Sequence, residues 1–303
     1  MLERVIAVVV HWRDLDDTMG AVASLLGEPG LEVIVVDNGS AEPATERLAR
    51  DAPAVRCLRS PENLGYAGGG NLGMRAALAL GADVVLLFNN DARLAPGASV
   101  AVRAVLASDD TIGVVGAKVL TREDASRLWL AWGRVTYGPS LVRLVGADAV
   151  DAPEWNVQRD VDWVAGCALW FRRAALEAVG LLDERFFAYH EEVDWCARAR
   201  RAGWRVVYAP RAVVHHTGRG SGGSRAQLRV RKYFGARNSV LFAAKNGSWS
   251  ERARLAAALG VSLPLQLLWQ LPRGGAADVL LKLEGIRDAF TGRRPPFERL
   301  GLR

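Results

Sequence analysis

Short apolar runs alternate with helix-like segments over the first part of the chain, and this alternation constrains the fold more than any other feature. The runs are rich in valine, isoleucine and leucine and lack regular polar interruptions, which is typical of strands covered on both faces. Strand–helix–strand repetition at this spacing predicts a mostly parallel, doubly wound α/β sheet. The predicted strands are residues 5–10, 31–36, 55–58 and 84–88, and the predicted helices are residues 17–26, 43–50 and 71–80.

The rest of the chain divides into a less regular middle and a helical end. A Gly/Ser-rich stretch at residues 218–224 precedes a basic, leucine-rich segment with helical character. We therefore expect an α/β domain at residues 1–220 and a helical extension at residues 221–303. In the middle, further strands are predicted at residues 114–120, 141–145 and 161–171, and a helix at residues 172–179.

Charge and cysteine content narrow the range of partners and compartments. The 303 residues carry a formal net charge of +6, which suits nucleic acid, an anionic membrane face or a phosphate-bearing ligand. No basic run is interleaved with aromatic residues, so we expect no nucleic-acid partner. Cys57, Cys167 and Cys196 are odd in number and lack metal-type spacing, which favours a reducing, cytoplasmic compartment. The amino-terminal apolar run lacks the shape of a signal peptide.

One glycine motif invites a dinucleotide-binding interpretation that its context disfavours. Gly68, Gly70 and Gly73 have the spacing of the dinucleotide fingerprint, and Asp91 follows at the expected distance. That fingerprint requires a strand running directly into its first glycine, whereas the loop-like residues 60–67 intervene here. A glycine-rich loop that opens a helix still lets backbone N–H groups approach a diphosphate.

Polar residues follow the fourth predicted strand, where a doubly wound sheet binds its ligands. Asn89 and Asp91 both offer side-chain oxygens, which suit Mg²⁺ or Mn²⁺. The alternative is an Asx turn that ends the strand.

A second polar cluster lies at the predicted start of a later helix. Glu191, Glu192 and Asp194 follow aromatic residues, and neighbouring carboxylates under an apolar wall raise the pKa of one of them. This pattern is typical of a general base, although acidic residues also favour helix amino termini. His215 and His216 follow a further apolar run beside the candidate metal site, where a histidine side chain is a common ligand.

These motifs, in this order, resemble glycosyltransferase family 2, and bacterial rhamnosyltransferase-like members in particular. The resemblance is strongest over residues 180–216, 62–71 and 35–40. It implies a GT-A fold and an inverting, metal-dependent enzyme that moves one sugar from a nucleotide-diphosphate sugar to an acceptor hydroxyl. It also implies a role in cell-surface polysaccharide or glycolipid synthesis, with a glycan or lipid-linked acceptor. The Gln-x-x-Arg-Trp element of processive relatives is absent, which favours one sugar per encounter.

The resemblance also implies a role for individual residues. Glu192 matches the catalytic base and Glu191 its acidic neighbour, while Gly166 matches an acceptor-side glycine. Asp91 and His216 match ligands of the divalent cation, Mn²⁺ or Mg²⁺, and His216 fits better than His215 because Gly218 and Ser221 then complete the motif. Arg237 and Asn238 match a recurring Arg-Asn pair beyond the core. Donor contacts are implied for Asp37, Asn63, Gly65, Gly68, Asn89 and Asp91, with the backbone of residues 68–70 completing a loop.

Two positions depart from the family pattern. Asn89 replaces the first acid of the usual Asp-x-Asp element, which removes one charge from the metal site. Glu192 stands where an aspartate is usual, so its carboxyl group is one methylene further from the backbone.

The carboxyl-terminal extension contains a stretch without charged residues at 255–272, bracketed by Arg252, Arg254 and Arg273. Its length is near the lower limit for spanning a bilayer, and Pro264 and two glutamines count against spanning. We expect amphipathic helices that pack on the core or lie on the inner face of the plasma membrane, with arginines toward anionic lipid. A homodimer interface or a satellite core is the alternative.

Two other functions compete with sugar transfer. A nucleotidyltransferase would need a glycine-rich, basic loop after the first strand, and residues 11–17 do not provide one. A non-catalytic sugar-nucleotide binding protein is compatible with Asn89 but disfavoured by the presence of Glu192, Asp91 and His216.

Overall fold

The chain forms a central sheet flanked by helices, followed by a bundle of longer helices. The structure, a computed structural model, describes residue 2 and residues 4–217 and 225–302. The strands are β1 Val5–His11, β2 Leu31–Asn38, β3 Arg56–Ser60, β4 Val84–Asn89, β5 Ala92–Leu94, β6 Ile112–Thr121, β7 Leu128–Leu130, β8 Trp132–Val135, β9 Val142–Val145, β10 Arg159–Asp160, β11 Ala168–Arg172 and β12 Arg205–His216. The helices are α1 Leu15–Leu26, α2 Thr45–Asp51, α3 Gly65–Ala79, α4 Ala98–Ser108, α5 Arg173–Val179, α6 Glu191–Arg201, α7 Arg225–Asn246, α8 Trp249–Gln270, α9 Ala276–Thr291 and α10 Phe297–Leu300.

The main sheet has the strand order β10-β12-β6-β11-β4-β1-β2-β3, with β5 added to β12 and β7 added to β6. Strands β1 to β4, β6 and β12 run in one direction, whereas β10 and β11 run in the other. Strands β1 and β4 are buried along nearly their whole length, as expected for strands with helices on both faces. The predicted mostly parallel α/β sheet is therefore confirmed.

The strand register places the ends of several strands at one edge of the sheet. His11 pairs with Asp37 and Val10 pairs with Asn89, so β1, β2 and β4 end together. Thr121 pairs with His216 at the ends of β6 and β12. Because β11 runs antiparallel to its neighbours, its amino-terminal end lies at this same edge.

Two predicted elements differ from the observed ones. The helix predicted at residues 71–80 begins at Gly65, so residues 68–70 are helical and do not form a loop. Glycine is a poor helix former in isolation, but here it allows close packing, since a Cβ at Gly73 would lie 2.2 Å from a Val8 methyl group. The strand predicted at residues 161–171 begins only at Ala168, because an apolar run by itself does not fix secondary structure.

The carboxyl-terminal helices pack back onto the α/β unit through α7. Helix α9 lies along α7, where the Tyr233 hydroxyl donates to Asp288 at 2.8 Å. Among the described residues, one helix, Trp249–Arg273, is long and apolar enough to cross a membrane by length and composition. The predicted hinge at residues 218–224 lies outside the described residues.

Candidate active site

The edge where the strands end gathers most of the side chains predicted to act in the site. Asn89 ends β4, Asp91 follows it, and His216 ends β12. Gly166 lies at the entrance to β11, beside the start of α6. The antiparallel orientation of β11 is what brings this glycine to the edge where the other strands end, and the backbone N–H of Asn89 donates to the Cys167 carbonyl at 3.0 Å.

Asp91 and His216 form a pair at this edge. The Oδ1 atom of Asp91 lies 3.1 Å from Nε2 of His216, and the Asn89 side-chain amide lies 3.2 Å from the same nitrogen. On its other side, Nδ1 of His216 lies 3.0 Å from the Thr217 carbonyl oxygen. A carbonyl only accepts, so Nδ1 carries a proton, and in the neutral ring Nε2 then has the lone pair.

The chemistry of this pair fits a divalent cation. Asp91 Oδ1 is buried and accepts no hydrogen bond, and it faces a nitrogen lone pair. Two acceptors this close repel each other until a cation or a proton lies between them. A carboxylate oxygen and an imidazole nitrogen suit Mn²⁺ and are compatible with Mg²⁺. Over residues 4–217 and 225–302, no group of three or more His, Cys, Asp or Glu side chains converges. A bound diphosphate, water and the side-chain oxygen of Asn89 are further sources of ligands beside this pair.

Two of the residues predicted to contact the donor, Asn63 and Gly65, belong to a hydrogen-bonded turn that connects β3 to α3. The Asn63 side-chain oxygen accepts from the Gly65 N–H at 2.9 Å, and Asn38 donates to the Gly65 carbonyl at 3.0 Å. Asn38 in turn accepts from the Leu64 N–H at 3.0 Å. Asn38 was not predicted as a site residue, although it follows Asp37 directly.

The carboxylate of Asp37 is fully buried and binds its own turn. Its two oxygens accept from the N–H groups of Ser40 and Ala44, each at 3.1 Å. These bonds shape the turn after β2, which borders the loop that contains Asn63.

The amino terminus of α3 is partly occupied by other groups of the protein. The Gly65 N–H binds Asn63, and the Ala67 N–H donates to the Phe187 carbonyl at 3.1 Å. Gly68 lies within the first turn of this helix, so the predicted glycine loop around residues 68–70 is wrong in its secondary structure. The helix start that contains Gly65 and Gly68 nevertheless borders the same edge of the sheet.

Glu191 and Glu192 begin α6, with His190 as the residue before the helix. Burial raises the pKa of Glu191 well above its usual range, and the charge of Glu192 adds to the rise. Burial also raises the pKa of Glu192, to about 7. In each side chain the Oε2 atom is buried and accepts no hydrogen bond. Burial therefore favours the protonated form of this pair of carboxyl groups, and Glu192 can exchange a proton near neutral pH.

Gly166 provides the space in which the Glu192 carboxyl group lies. A Cβ at Gly166 would be 3.4 Å from Glu192 Cδ and 3.6 Å from its Oε1. Tyr66 was not predicted, yet its hydroxyl donates to the Gly166 carbonyl at 2.8 Å. Burial, followed by the charge of Glu191, raises the pKa of Tyr66 well above its usual value, so it stays a donor.

Asp194, the third carboxylate of the acidic cluster, is separated from the other two. Its side chain is fully buried and accepts from Arg198 at 2.9 Å, Lys245 at 2.8 Å and Asn246 at 2.8 Å. Since two of these partners belong to α7, Asp194 ties α6 to the carboxyl-terminal helices.

The last described residues also reach the donor side of the site. The Gly301 carbonyl accepts from Arg13 at 2.8 Å, and the buried Leu302 has a carbonyl that accepts from Asn63 at 3.0 Å. These partners are 288 and 239 residues apart, and no sequence motif signals such contacts.

Relatives of known activity resemble the larger part of the chain. The model of the family described as glycosyltransferase like family 2 matches residues 3–235. An N-acetylglucosaminyl-diphospho-decaprenol L-rhamnosyltransferase of Mycobacterium tuberculosis is 31% identical over 229 residues, covering 67% of this chain and 72% of that protein. The galactofuranosyltransferase GlfT1 of the same species is 31% identical over 218 residues, covering 67% of this chain and 66% of its own.

Solved structures support the fold. A mannosyltransferase from Pyrobaculum calidifontis, in complex with GDP-mannose and Mn²⁺, superposes with a TM-score of 0.55 over 96% of this chain and 88% of its own, at 16% identity. GalNAc-T7 with UDP, GalNAc and Mn²⁺ gives a TM-score of 0.57 at 17% identity, covering 78% of this chain and 50% of that one. The sheet topology, the family match and these neighbours agree that the chain is a GT-A-fold enzyme and belongs to glycosyltransferase family 2.

Proposed function

We propose that this glycosyltransferase is inverting, metal-dependent and non-processive, and that it moves one sugar from a nucleotide-diphosphate sugar to an acceptor hydroxyl. The observation that carries the proposal is the arrangement of two groups at one sheet edge. Asp91, just after β4, and His216, at the end of β12, form the pair that is compatible with a cation. Glu192 lies against Gly166, just before β11.

The reaction needs a base on the acceptor side. Glu192 takes the proton of the acceptor hydroxyl while that oxygen attacks the anomeric carbon, and the bond from this carbon to the diphosphate breaks with its electron pair leaving on the diphosphate. Attack from the face opposite the leaving group inverts the anomeric centre. Burial favours the protonated form of Glu191, which disfavours a second negative charge beside the base.

The leaving group needs positive charge on the donor side. Asp91 and His216 would hold the divalent cation, which stabilises the negative charge that develops on the departing diphosphate. Asn89 lacks a charge, so it would contribute a neutral oxygen to the donor side. Asn63, Gly65, Gly68 and Asp37 would shape the pocket for the nucleotide.

The donor and acceptor classes follow from the relatives. The mycobacterial relative is named as a rhamnosyltransferase acting on N-acetylglucosaminyl-diphospho-decaprenol. We propose a deoxythymidine- or uridine-diphosphate sugar, with L-rhamnose as the first candidate, and a polyprenyl-diphosphate-linked or glycan acceptor in cell-surface glycan synthesis.

A thermal-shift panel tests the donor site. The panel contains nucleotide diphosphates and sugar nucleotides, each measured with and without Mn²⁺. We expect the nucleotides of one base to raise the melting temperature of the protein, and to do so only when Mn²⁺ is present. At a ligand concentration 100 times the Kd, the stabilisation is about 2.7 kcal/mol. Product formation from that donor and a polyprenyl-diphosphate N-acetylglucosamine acceptor then completes the test. Binding without product would favour a non-catalytic binding protein, and no shift in folded protein would contradict the donor site.

We further propose that the protein contacts the inner face of an anionic membrane through α8. Val261, Leu265 and Leu268 are 64%, 60% and 69% exposed and share one face of this helix. Trp269 lies beside them, with the Arg273 guanidinium 3.7 Å from the centre of its ring. An exposed apolar face with aromatic and basic residues at its border suits the interface of an anionic bilayer.

Vesicle flotation tests this surface. The wild-type protein is expected to float with vesicles that contain anionic lipid, and the double variant Leu265→Glu, Leu268→Glu is expected to stay at the bottom because its charges cannot enter the apolar layer. Val100→Glu is the matched control, since Val100 is an exposed apolar residue on α4. A wild-type protein that stays at the bottom, and forms a dimer that the double variant loses, would assign the face to a homodimer instead.

A further inference from the structure

The segment that leads into α6 has an unusual backbone. Phe187, Tyr189 and His190 have φ angles of +63°, +69° and +69°. Residues with a side chain rarely adopt this region, and such strain persists only where the surrounding structure holds it. Glu191 follows His190 directly, so the conformation of this segment sets where α6 and its two glutamates begin. We call residues 186–190 the strained segment.

One side chain from the carboxyl-terminal extension holds the strained segment. Asn238, on α7, is fully buried, and its Nδ2 atom donates to the carbonyl oxygens of Phe186, Ala188 and Tyr189 at 2.8, 2.8 and 2.7 Å. Its Oδ1 atom accepts from Arg237 at 2.8 Å. An amide NH₂ group has two hydrogens, so three carbonyls share them and no donor capacity is left.

Other residues of α7 hold the same region. The Phe234 ring stacks on Phe187, with the ring centres 5.2 Å apart and the planes 15° from parallel. Phe234 and Asn238 are four residues apart, so they share one face of the helix. Lys245, one heptad beyond Asn238, donates to Asp194 of α6 at 2.8 Å. This face of α7 therefore supports both the strained segment and the helix that follows it.

The strained segment also touches the donor side of the site. The Phe187 carbonyl accepts from the Ala67 N–H in the first turn of α3. The same few residues thus lie between the helix that follows the nucleotide loop and the glutamates of α6. A shift of this segment would move Glu192 relative to the donor side.

We propose that Asn238 is a positioning residue for sugar transfer. Its hydrogen bonds fix the conformation of the strained segment, so that the Glu192 carboxyl group stays against Gly166 and beside the donor side of the site. This inference rests on the proposed role of Glu192 as the base. It gives a physical role to the Arg237–Asn238 pair, in which Arg237 orients the amide of Asn238. Without the three hydrogen bonds, the segment relaxes toward ordinary φ angles and the base leaves its position.

The test compares Asn238→Ala, Asn238→Ser and Asn246→Ala. For Asn238→Ala we expect kcat to fall about 100-fold, the effect of a displacement of roughly 1 Å at a reacting group. The Kd for deoxythymidine diphosphate with Mn²⁺, or for the nucleotide that the panel selects, is expected to stay within about twofold of the wild-type value, because Asn238 does not contact the nucleotide site. Asn238→Ser keeps one hydroxyl donor, so its kcat is expected to lie between those of the alanine variant and the wild type.

Asn246→Ala is the matched control, because Asn246 is also on α7 and also holds a residue of α6, at 2.8 Å from Asp194. We expect it to lower the melting temperature and leave kcat near the wild-type value. Asn238 variants that lose stability but keep the wild-type kcat overturn the proposal. If Asn238→Ala does not fold, the kcat of Asn238→Ser decides the test: a value equal to that of the wild type overturns the proposal. Failure of the wild-type protein to transfer any sugar would instead count against the proposed function itself.

Discussion

Replacing Glu192 with glutamine is expected to reduce sugar transfer by about 10²–10⁴-fold, the usual contribution of a general base, while donor binding persists. Glutamine keeps the size of the side chain and its place against Gly166, but it cannot take the acceptor proton. Because burial raises the pKa of Glu192 to about 7, the base is protonated at lower pH. The wild-type rate should therefore rise with pH through about 7 and level off above it, and this limb should be absent from the residual rate of the variant.

Glu191→Gln is the matched control for that experiment. Burial raises the pKa of Glu191 well above its usual range, so glutamine imitates the protonated form that burial favours. We expect a much smaller loss of kcat than for Glu192→Gln. Metal-dependent nucleotide binding, measured by thermal shift, should remain in both variants. A Glu192→Gln enzyme that works at nearly the wild-type rate beside an inactive Glu191→Gln enzyme would show that the base has been assigned to the wrong glutamate.

The second large effect is expected at Asp91. Asp91→Asn keeps the shape of the side chain but removes the charge that faces His216 Nε2 at 3.1 Å. We expect transfer to fall about 10²–10³-fold, which is the cost of removing one electrostatic group that stabilises the transition state. The difference between nucleotide shifts with and without Mn²⁺ should disappear.

Asn89→Asp provides the reciprocal variant. It introduces the acid that the family resemblance implies at this position and adds a carboxylate near His216. We expect a lower concentration of Mn²⁺ to be needed for the nucleotide-dependent shift. Retention of the full metal-dependent shift in Asp91→Asn, with no response in Asn89→Asp, would place the cation elsewhere.

The sequence was most informative about the sheet and the residues at its edge. Strands β1 and β4 are apolar up to their last residue, and such runs identify buried strands because both of their faces need apolar cover. The carboxyl ends of parallel strands meet at one edge, so Asn89 and Asp91 could be placed at that edge from the sequence alone, whereas the place of His216 beside them was implied by the family resemblance. The position of Glu191 and Glu192 at a helix start followed from local composition.

What the sequence did not reveal depends on contacts between distant residues. The glycines at residues 68–70 suggest a loop when read locally, but they lie in a helix that packs closely on the sheet, where a Cβ at Gly69 would meet Val10 and one at Gly70 would meet Leu87. Asp194 looks like a third site carboxylate until Lys245 and Asn246 are seen beside it. Tyr66 is an ordinary aromatic residue in the sequence, and its bond to Gly166 depends on the fold of the whole sheet.

The support that α7 gives to the strained segment has a consequence for exchanging parts between related enzymes. The family match ends at residue 235, three positions before Asn238. A chimera joined at residue 220 would combine the glutamates of one enzyme with the supporting helix of another. The segment before its glutamates would then pack against a helix that evolved with a different enzyme. Exchanges intended to change donor or acceptor preference should therefore transfer α7 together with the sheet. The segment that has to be exchanged as one piece is thus larger than the nucleotide-binding half of the molecule.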